Sequence, residues 1–209
     1  MSPKREAQWL LGIVAIIFVA LGVHPQADRF TWFMENVPAI IAAPILMSTY
    51  RRFPFSRMVY RLIAIHAVIL MVGGYYTYAK VPLGFWMQDI FHFTRNHYDR
   101  IGHFVQGFVP ALVLREFLIR KGGVKRGLLL SFLCVGVALG ISAFYEFFEW
   151  WTALATETGA EAFLGTQGDI WDTQSDMFMA MVGAILAMIF FSRTHDRSIA
   201  GIQVKNVLY

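Results

Sequence analysis

Charged residues and cysteine are both scarce in this chain of 209 residues. Charged residues make up 15% of it, against about 25% in soluble domains, and hydrophobic residues make up 57%. The one cysteine, Cys134, lies inside an apolar run, so it forms no intrachain disulfide and is best interpreted as a small core residue. Motifs of nucleotide-binding proteins, kinases, phosphatases and haem proteins are also absent. The composition is that of a membrane protein.

Long apolar runs are abundant instead. Six of them are near the ~20 residues that a helix needs to cross a bilayer, and short polar loops separate them. They are too long and too continuous to be strands of a membrane barrel. We therefore predict an all-α, polytopic membrane protein that forms one helical domain over residues 1–209. The predicted helices are residues 9–23, 30–50, 58–78, 97–118, 127–151 and 169–191.

The basic residues indicate a membrane orientation. A pI of about 9.3 could suggest nucleic-acid binding, but the basic residues gather in alternate loops, as the positive-inside rule describes. Arg29, Lys80, Arg95 and Arg100 fall on one side, and the other 14 of the 18 Lys and Arg residues fall on the opposite side. We predict that both termini are cytoplasmic and that the protein binds no nucleic acid.

Two connections have distinctive compositions. Residues 79–96 are rich in aromatic side chains, which is typical of a re-entrant segment or of one lying against the membrane surface. The loop 152–168 carries Glu157 and Glu161 and no Lys or Arg. We expect these two carboxylates and Asp89 to be solvated.

Small residues form a stripe on the fifth predicted helix. Gly136 and Gly140 are spaced as GxxxG, and Ala143 extends the pattern. Such a stripe lets a neighbouring membrane helix approach closely. The stripe therefore marks a position where a close helix contact is possible.

Acidic residues are distributed unevenly on this topology. Glu6, Glu116 and Asp196 fall on the predicted cytoplasmic side, and the other 11 of the 14 Asp and Glu residues fall on the outer side. Acidic residues contribute little to orientation, so the positive-inside rule does not explain this excess. Glu35 and His24 belong to the outer side but are expected to be peripheral. Eight ionisable residues lie within about two turns of the outer ends of the last three predicted helices: His97, Asp99, His103, Glu146, Glu149, Asp169, Asp172 and Asp176.

These helix ends are expected to share one pocket, because antiparallel helices joined by short loops usually pack together. Asp99 and His103 are four residues apart and therefore lie on one helical face. Carboxylates and imidazoles crowded at low dielectric repel each other or take up protons unless a cation neutralises them. Mixed Asp, Glu and His ligands suit Mg²⁺, Mn²⁺ or Zn²⁺, and the sequence does not choose between them. The metal ligands predicted in this way are His97, Asp99, His103, Glu146, Glu149, Asp172 and Asp176.

One hypothesis is an enzyme site at the outer leaflet that acts on a lipid or polyprenyl-phosphate headgroup. Arg95 and Arg100 would bind the phosphate of this substrate. The aromatic segment 85–93 would be a lid or a lipid-entry surface. The residues predicted to act in catalysis, as ligands or as general acid and base, are Asp99, His103, Glu146 and Asp176.

Two other functions stay open. The carboxylates could form a proton or cation site of a small transporter, although no inverted repeat or pair of interrupted helices is evident. Apart from His66, the inner halves of the helices look apolar and therefore offer no obvious exit path. His66, deeper in the third helix, is expected to be a hydrogen-bonded packing residue. Alternatively, the cluster is a polar packing network in a non-catalytic membrane protein.

Three segments of the chain resemble a known family. They are His97–Phe104, Glu146–Trp151 and Gly168–Asp176. The chain resembles the YjdF family of small bacterial inner-membrane proteins over essentially its whole length. The resemblance implies a location in the bacterial inner (plasma) membrane and brings no established activity with it.

The chain is also distantly similar to VanZ-like proteins, which are associated with resistance to glycopeptide antibiotics. Their pattern has an acidic residue four positions before His-Phe, as Asp99 stands before His103–Phe104. Glu146 fits the following Glu-x-x-Gln element, with Glu149 in place of Gln, and Asp176 fits the Asp-led helix. An asparagine and an arginine of the pattern are missing here.

Overall fold

The computed structural model describes residues 1–155 and 166–207, and within these ranges all regular secondary structure is helical. The predicted loop residues Glu157 and Glu161 lie outside the described residues. A 3₁₀ turn (Tyr78–Lys80) precedes the fourth helix, and a π-helical turn (Ala187–Phe191) joins the last two. The helices are α1 (Pro3–Val23), α2 (Arg29–Thr49), α3 (Arg57–Tyr76), α4 (Pro82–Phe91), α5 (Tyr98–Arg120), α6 (Leu128–Ala155), α7 (Asp172–Leu186) and α8 (Ser192–Val207).

Within the described residues, six helical stretches are long and apolar enough to cross a membrane. Five of them are α1, α2, α3, α5 and α6, and the sixth is the continuous stretch Asp172–Ile202. The predicted all-α, polytopic membrane fold is confirmed.

The first helix begins six residues before the predicted start. Ser2 caps it by accepting a hydrogen bond from the backbone N–H of Arg5 at 3.3 Å, and Pro3 suits the first turn. Glu6 in the same turn pairs with Arg61 at 2.6 Å. The polar residues ahead of the apolar run therefore join the helix, because a cap and an ion pair stabilise them.

The last helix also extends beyond its predicted end at residue 191, through the π-helical turn and into α8. His195 and Ile199 of α8 are fully buried. Packing of these two side chains keeps a polar, basic segment helical where composition alone suggested a tail.

The connection 79–96 is more regular than predicted, because residues 82–91 form α4. Trp86 and Ile90, one turn apart, are 65% and 69% exposed, and Leu83 is also exposed. An exposed apolar side on a short helix suits contact with the membrane surface, as its composition indicated.

The helix α5 lies at the centre of the bundle and contacts α3, α6 and α7. Its approach to α7 requires two glycines. A Cβ atom at Gly107 would lie 1.8 Å from the carbonyl oxygen of Ala180, and one at Gly183 would lie 2.0 Å from that of Phe104. This backbone contact brings the acidic N-terminal turns of α5 and α7 together.

The stripe of Gly136 and Gly140 makes no close helix contact with the described residues. A Cβ atom built at either glycine would have no described atom within 4 Å. The face of α6 that enters the bundle carries Cys134, Ala138 and Ser142, each buried and four residues apart. A small-residue pattern marks where close approach is possible, and here another face of α6 is the one used.

A buried polar network joins α8 to α5 at the end of the bundle near the chain termini. Both carboxylate oxygens of Glu116 accept hydrogen bonds, one from Arg120 at 2.6 Å and from the backbone N–H of Ser56 at 2.8 Å. The other lies 3.0 Å from Nε2 of His195, whose Nδ1 lies 3.3 Å from Arg115. We call these residues, with Asp196, the basic-end network.

An apolar core separates this network from the opposite end of the bundle. Its buried members come from the middle of α5, α6 and α7 and the π-helical turn: Ala111, Leu112, Leu130, Cys134, Ala138, Ala184, Ala187 and Met188. The burial of Cys134 agrees with its predicted role as a small core residue.

Candidate metal site at the acidic end of the bundle

Three helices contribute ionisable side chains to the other end of the bundle. We call the group Asp99, His103, Glu146, Glu149 and Asp176 the acidic cluster. Asp99 and His103 lie near the start of α5, Glu146 and Glu149 near the end of α6, and Asp176 near the start of α7. Every member is at least nine-tenths buried. The predicted convergence of these three helix ends is therefore present in the structure.

The tightest part of the cluster is the trio Asp99, His103 and Asp176. Each residue offers one ligand atom, and these three atoms lie within 4.8 Å of one another. Protein ligands lie about 2.0–2.6 Å from Zn²⁺, Mg²⁺ or Ca²⁺. Small side-chain rotations would let all three atoms reach one such ion.

The imidazole of His103 connects the trio to α6. Its Nε2 lies 3.6 Å from a carboxylate oxygen of Asp99 and 3.6 Å from one of Glu146. Its Nδ1 lies 3.5 Å from Oγ of Ser142. If Nδ1–H donates to Ser142, the Nε2 lone pair faces two carboxylates, and a proton or a metal ion has to lie between them.

Ser142 has no ionisable group and was not among the predicted site residues. The available signal was its position four residues before Glu146, because residues four apart share a helical face.

Two buried carboxylate oxygens in the cluster have no hydrogen-bond partner among the described residues. They are Oε1 of Glu146 and Oδ1 of Asp176. An unsatisfied buried acceptor is costly, and an unsatisfied buried charge costs more. A bound cation or a proton would satisfy both atoms.

The two arginines predicted to bind substrate pair with carboxylates in the structure. Arg95 contacts Asp172 at 2.5 Å and Asp169 at 3.3 Å, and Arg100 contacts Asp169 at 2.7 Å. The pKa of Asp169 is lowered by the backbone N–H of Trp171 and by the two guanidinium groups. Asp172, a predicted metal ligand, is thus held by Arg95 and is not part of the trio.

His97 also lies apart from the trio, although it was a predicted ligand. It stands at the N-cap of α5, and its ring packs edge-on against Phe93 with 4.8 Å between centroids. Burial and the neighbouring charges of Arg100 and Arg95 lower the pKa of His97, which favours the neutral form of its ring.

Asn96 connects several segments next to the cluster by hydrogen bonds, and it was not among the predicted site residues. It is 1% exposed, and its side chain donates to the carbonyl of Val81 at 2.9 Å and accepts from the N–H of Tyr98 at 3.0 Å. Its backbone exchanges two hydrogen bonds with the side chain of Gln167, at 3.0 and 2.8 Å. An Asn directly ahead of a helix is the signal that could have identified it.

Glu35 is not peripheral, as the sequence suggested, but lies inside the bundle. It is 3% exposed and accepts a hydrogen bond from the hydroxyl of Tyr145 on α6 at 3.1 Å. The prediction failed because Glu35 is distant in sequence from the other acidic residues, and only helix packing brings α2 to α6.

His66 also differs from its prediction as a hydrogen-bonded residue. Its Nε2 is buried and has no hydrogen-bond partner among the described residues.

Comparison with known proteins agrees with this membrane architecture. The family model described as "Predicted membrane protein (DUF2238)" matches residues 7–197. The chain belongs to this family. The inner membrane protein YjdF of Escherichia coli (strain K12) is 52% identical to it over 184 residues, which cover 88% of this chain and 87% of that protein. No solved structure matches the chain.

The family and the six spans agree on a multi-pass protein of the inner membrane, embedded in the lipid bilayer. The resemblance to the YjdF family over most of the chain is confirmed, and the similarity to VanZ-like proteins stays a prediction. The cytoplasmic location of both termini also stays a prediction.

Proposed function

We propose that this family member is an inner-membrane enzyme whose acidic cluster binds a divalent metal ion and acts on the phosphorylated headgroup of a lipid or polyprenyl carrier. The observation that carries the proposal is the convergence of Asp99, His103 and Asp176, whose ligand atoms lie within 4.8 Å of one another. The unpartnered oxygen atoms of Asp176 and Glu146 support it.

The charge of the cluster also favours a cation. Arg95 and Arg100 pair with Asp169 and Asp172. His103 carries at most one positive charge and faces several carboxylates, so it cannot neutralise them alone. One divalent ion would remove most of the remaining repulsion without protonating the carboxylates.

The trio would hold the ion, and Glu146 is placed to act as general base. Its unpartnered oxygen lies 3.6 Å from His103 and could accept a proton from an attacking water. The ion would supply Lewis-acid activation of a phosphoryl oxygen. Glu149, one turn beyond Glu146, stays a predicted ligand.

A lipid-linked phosphate suits the surroundings of the cluster. Arg100 is partly exposed and could exchange its contact with Asp169 for one with a phosphate, since guanidinium binds both anions through the same geometry. Arg95 lies beside it on the same carboxylate. The exposed apolar side of α4 would contact the chain of such a lipid.

Proton- or cation-coupled transport is the second candidate, and the unpartnered Nε2 of His66 favours it, because this atom could accept a proton inside the bundle. The apolar core between the acidic cluster and the basic-end network opposes it, since the side chains of that core do not bind ions. A purely structural role fits less well, because structural networks usually satisfy their buried acceptors.

The test is the metal content of the detergent-purified protein, measured by mass spectrometry for the wild type and for His103→Ala/Asp176→Asn. We expect about one divalent ion per chain in the wild type and none in the double variant. The matched control is His24→Ala/Asp89→Asn, which changes the same residue types at exposed positions and should keep the metal.

Phosphate release from a polyprenyl diphosphate in detergent micelles tests the reaction. The wild type should release phosphate, and the double variant should not. A wild type that holds no metal, even after incubation with Zn²⁺, Mn²⁺ and Mg²⁺ in turn, would contradict the proposal. A wild type that binds metal but releases no phosphate would support the cation site and favour transport as the function.

A further inference from the structure

Buried Glu35 and partly buried Tyr145 form a pair to which the sequence assigned no role in the site. The Tyr145 hydroxyl donates to a carboxylate oxygen of Glu35 at 3.1 Å. This is a contact between α2 and α6. Glu35 is 97% buried, so water does not compete strongly for its carboxylate.

Tyr145 lies directly against His103. The two rings are 6.1 Å apart between centroids and meet edge to face, at 67°. Ser142, Tyr145 and Glu146 are spaced so that they share one face of α6. His103 is therefore bordered by α6 on three sides: Ser142 near Nδ1, Glu146 near Nε2 and the phenol ring beside the imidazole plane.

The position of Glu35 depends on a glycine of α3. A Cβ atom at Gly74 would lie 2.9 Å from Cβ of Glu35 and 2.8 Å from Nδ2 of Asn36. Asn36 in turn donates to the carbonyl of Trp32 at 2.7 Å and is fully buried. The α2 segment that carries Glu35 is thus packed tightly against α3 and cannot move freely.

We propose that Glu35 is a positioning residue of the acidic cluster, which holds the Tyr145 ring against His103 and so fixes the imidazole for metal binding. This inference rests on the metal site proposed above. Outer-shell partners that orient a metal-binding histidine typically contribute 10- to 100-fold in metal affinity. The hydrogen bond matters here, and the negative charge of Glu35 does not.

The test uses Co²⁺ as the probe, titrated into the purified metal-free protein and followed by its visible absorption. Glu35→Gln keeps an oxygen that can accept from Tyr145, whereas Glu35→Asp keeps the charge but is one methylene too short. We expect Glu35→Gln to bind Co²⁺ within about threefold of the wild type. Glu35→Asp and Tyr145→Phe should each bind about 10- to 100-fold more weakly, with an altered absorption band.

A double variant shows whether the two residues act as one unit. Glu35→Asp/Tyr145→Phe should bind Co²⁺ no more weakly than either single variant, because both remove the same hydrogen bond. Tyr75→Phe, which removes a hydroxyl from another helix, is the matched control and should bind like the wild type. The absorption band reports the ligand geometry, which a loss of stability alone would not alter.

The outcomes separate this inference from the function on which it rests. A wild type that binds no Co²⁺ overturns the metal site and the inference together. A wild type that binds, with Tyr145→Phe or Glu35→Asp binding equally well, overturns the inference alone. Weak binding by Glu35→Gln and normal binding by Glu35→Asp would show that the charge matters, which also overturns it.

Discussion

His103 and His195 lie near opposite ends of the same bundle, and their surroundings differ. Nδ1 of His195 accepts a hydrogen bond from Arg115, and its Nε2 lies beside one carboxylate oxygen of Glu116. The other oxygen of Glu116 accepts a hydrogen bond from Arg120. His103 has Ser142 at Nδ1, but its Nε2 faces two carboxylates at 3.6 Å, and one of these has an unpartnered oxygen. Both carboxylates of the basic-end network, Glu116 and Asp196, have arginine partners, whereas Glu146 and Asp176 of the acidic cluster each have a buried oxygen with no hydrogen-bond partner among the described residues.

This difference separates a structural polar network from a ligand site better than residue types do. Both groups are buried and both combine His with Asp or Glu. In the basic-end network arginines supply the donors, so the protein itself neutralises the carboxylates. Beside the acidic cluster, Arg95 and Arg100 pair with Asp172 and Asp169. Two carboxylate oxygens of the cluster have no hydrogen-bond partner among the described residues and are available to a cation.

The largest expected effect comes from removing the central carboxylate of the basic-end network. Glu116→Ala removes the acceptor of Arg120, His195 and the Ser56 N–H, all of them largely buried. We expect the free energy of unfolding in detergent to fall by about 3–5 kcal/mol, because buried charges and donors lose their partner. Thermal unfolding of the purified protein measures this.

The counterpart at the other end is Asp176→Asn, which should change the free energy of unfolding by less than about 1 kcal/mol, because its carboxylate oxygen already lacks a partner. Metal binding should nevertheless be lost. Equal destabilisation by Glu116→Ala and Asp176→Asn would contradict the distinction between the two ends.

A smaller effect is expected from separating α5 and α7. Gly183→Ala places a Cβ atom 2.0 Å from the Phe104 carbonyl, so the helices must move apart at the acidic cluster. We expect a loss of about 1–3 kcal/mol in the free energy of unfolding, typical of overpacking. Metal affinity should fall as well, since Asp176 moves away from Asp99 and His103.

Gly136→Ala is the matched control, because no described atom lies within 4 Å of the added methyl group. It should stay within about 0.5 kcal/mol of the wild type. Similar losses in Gly183→Ala and Gly136→Ala would indicate that the close contact of α5 and α7 does not hold the cluster together.

The smallest effect concerns His97 and pH. Because its pKa is lowered in the folded protein, the unfolded chain binds the proton more readily. The free energy of unfolding should therefore fall as the pH drops below the ordinary histidine pKa of about 6.5, until the lowered pKa is reached. His97→Gln should remove this part of the slope between pH 7 and pH 5, measured by thermal unfolding at each pH. An unchanged slope would mean that His97 does not face Arg95 and Arg100 in the folded protein.

Much of the architecture follows from local chemistry. Apolar runs of membrane length predicted six spans, and the structure has six. The same reasoning located the acidic cluster, because charges inside such runs are costly and indicate a site. Helix ends were predicted less well. The Ser2 cap extends α1 beyond its apolar run, and the packing of His195 extends the last span in the same way.

The composition of the trio depended on the tertiary structure. Seven residues were predicted ligands by sequence, and the structure brings together the ligand atoms of Asp99, His103 and Asp176. Asp172 was a predicted ligand as well, but the structure places Arg95 beside it. The distance between side chains on different helices depends on which helical faces meet, and a periodic pattern does not contain that information.

The sequence by itself therefore determined the membrane class, the number of spans and the end of the bundle at which ionisable groups gather, because hydropathy and charge act along the chain. Only the tertiary structure decided which of those groups form ion pairs and which have oxygens without a hydrogen-bond partner among the described residues. It also showed that the glycines of α5 and α7, rather than those of α6, allow the close contact. Pairing and close approach join residues far apart in sequence, so they depend on how the helices pack.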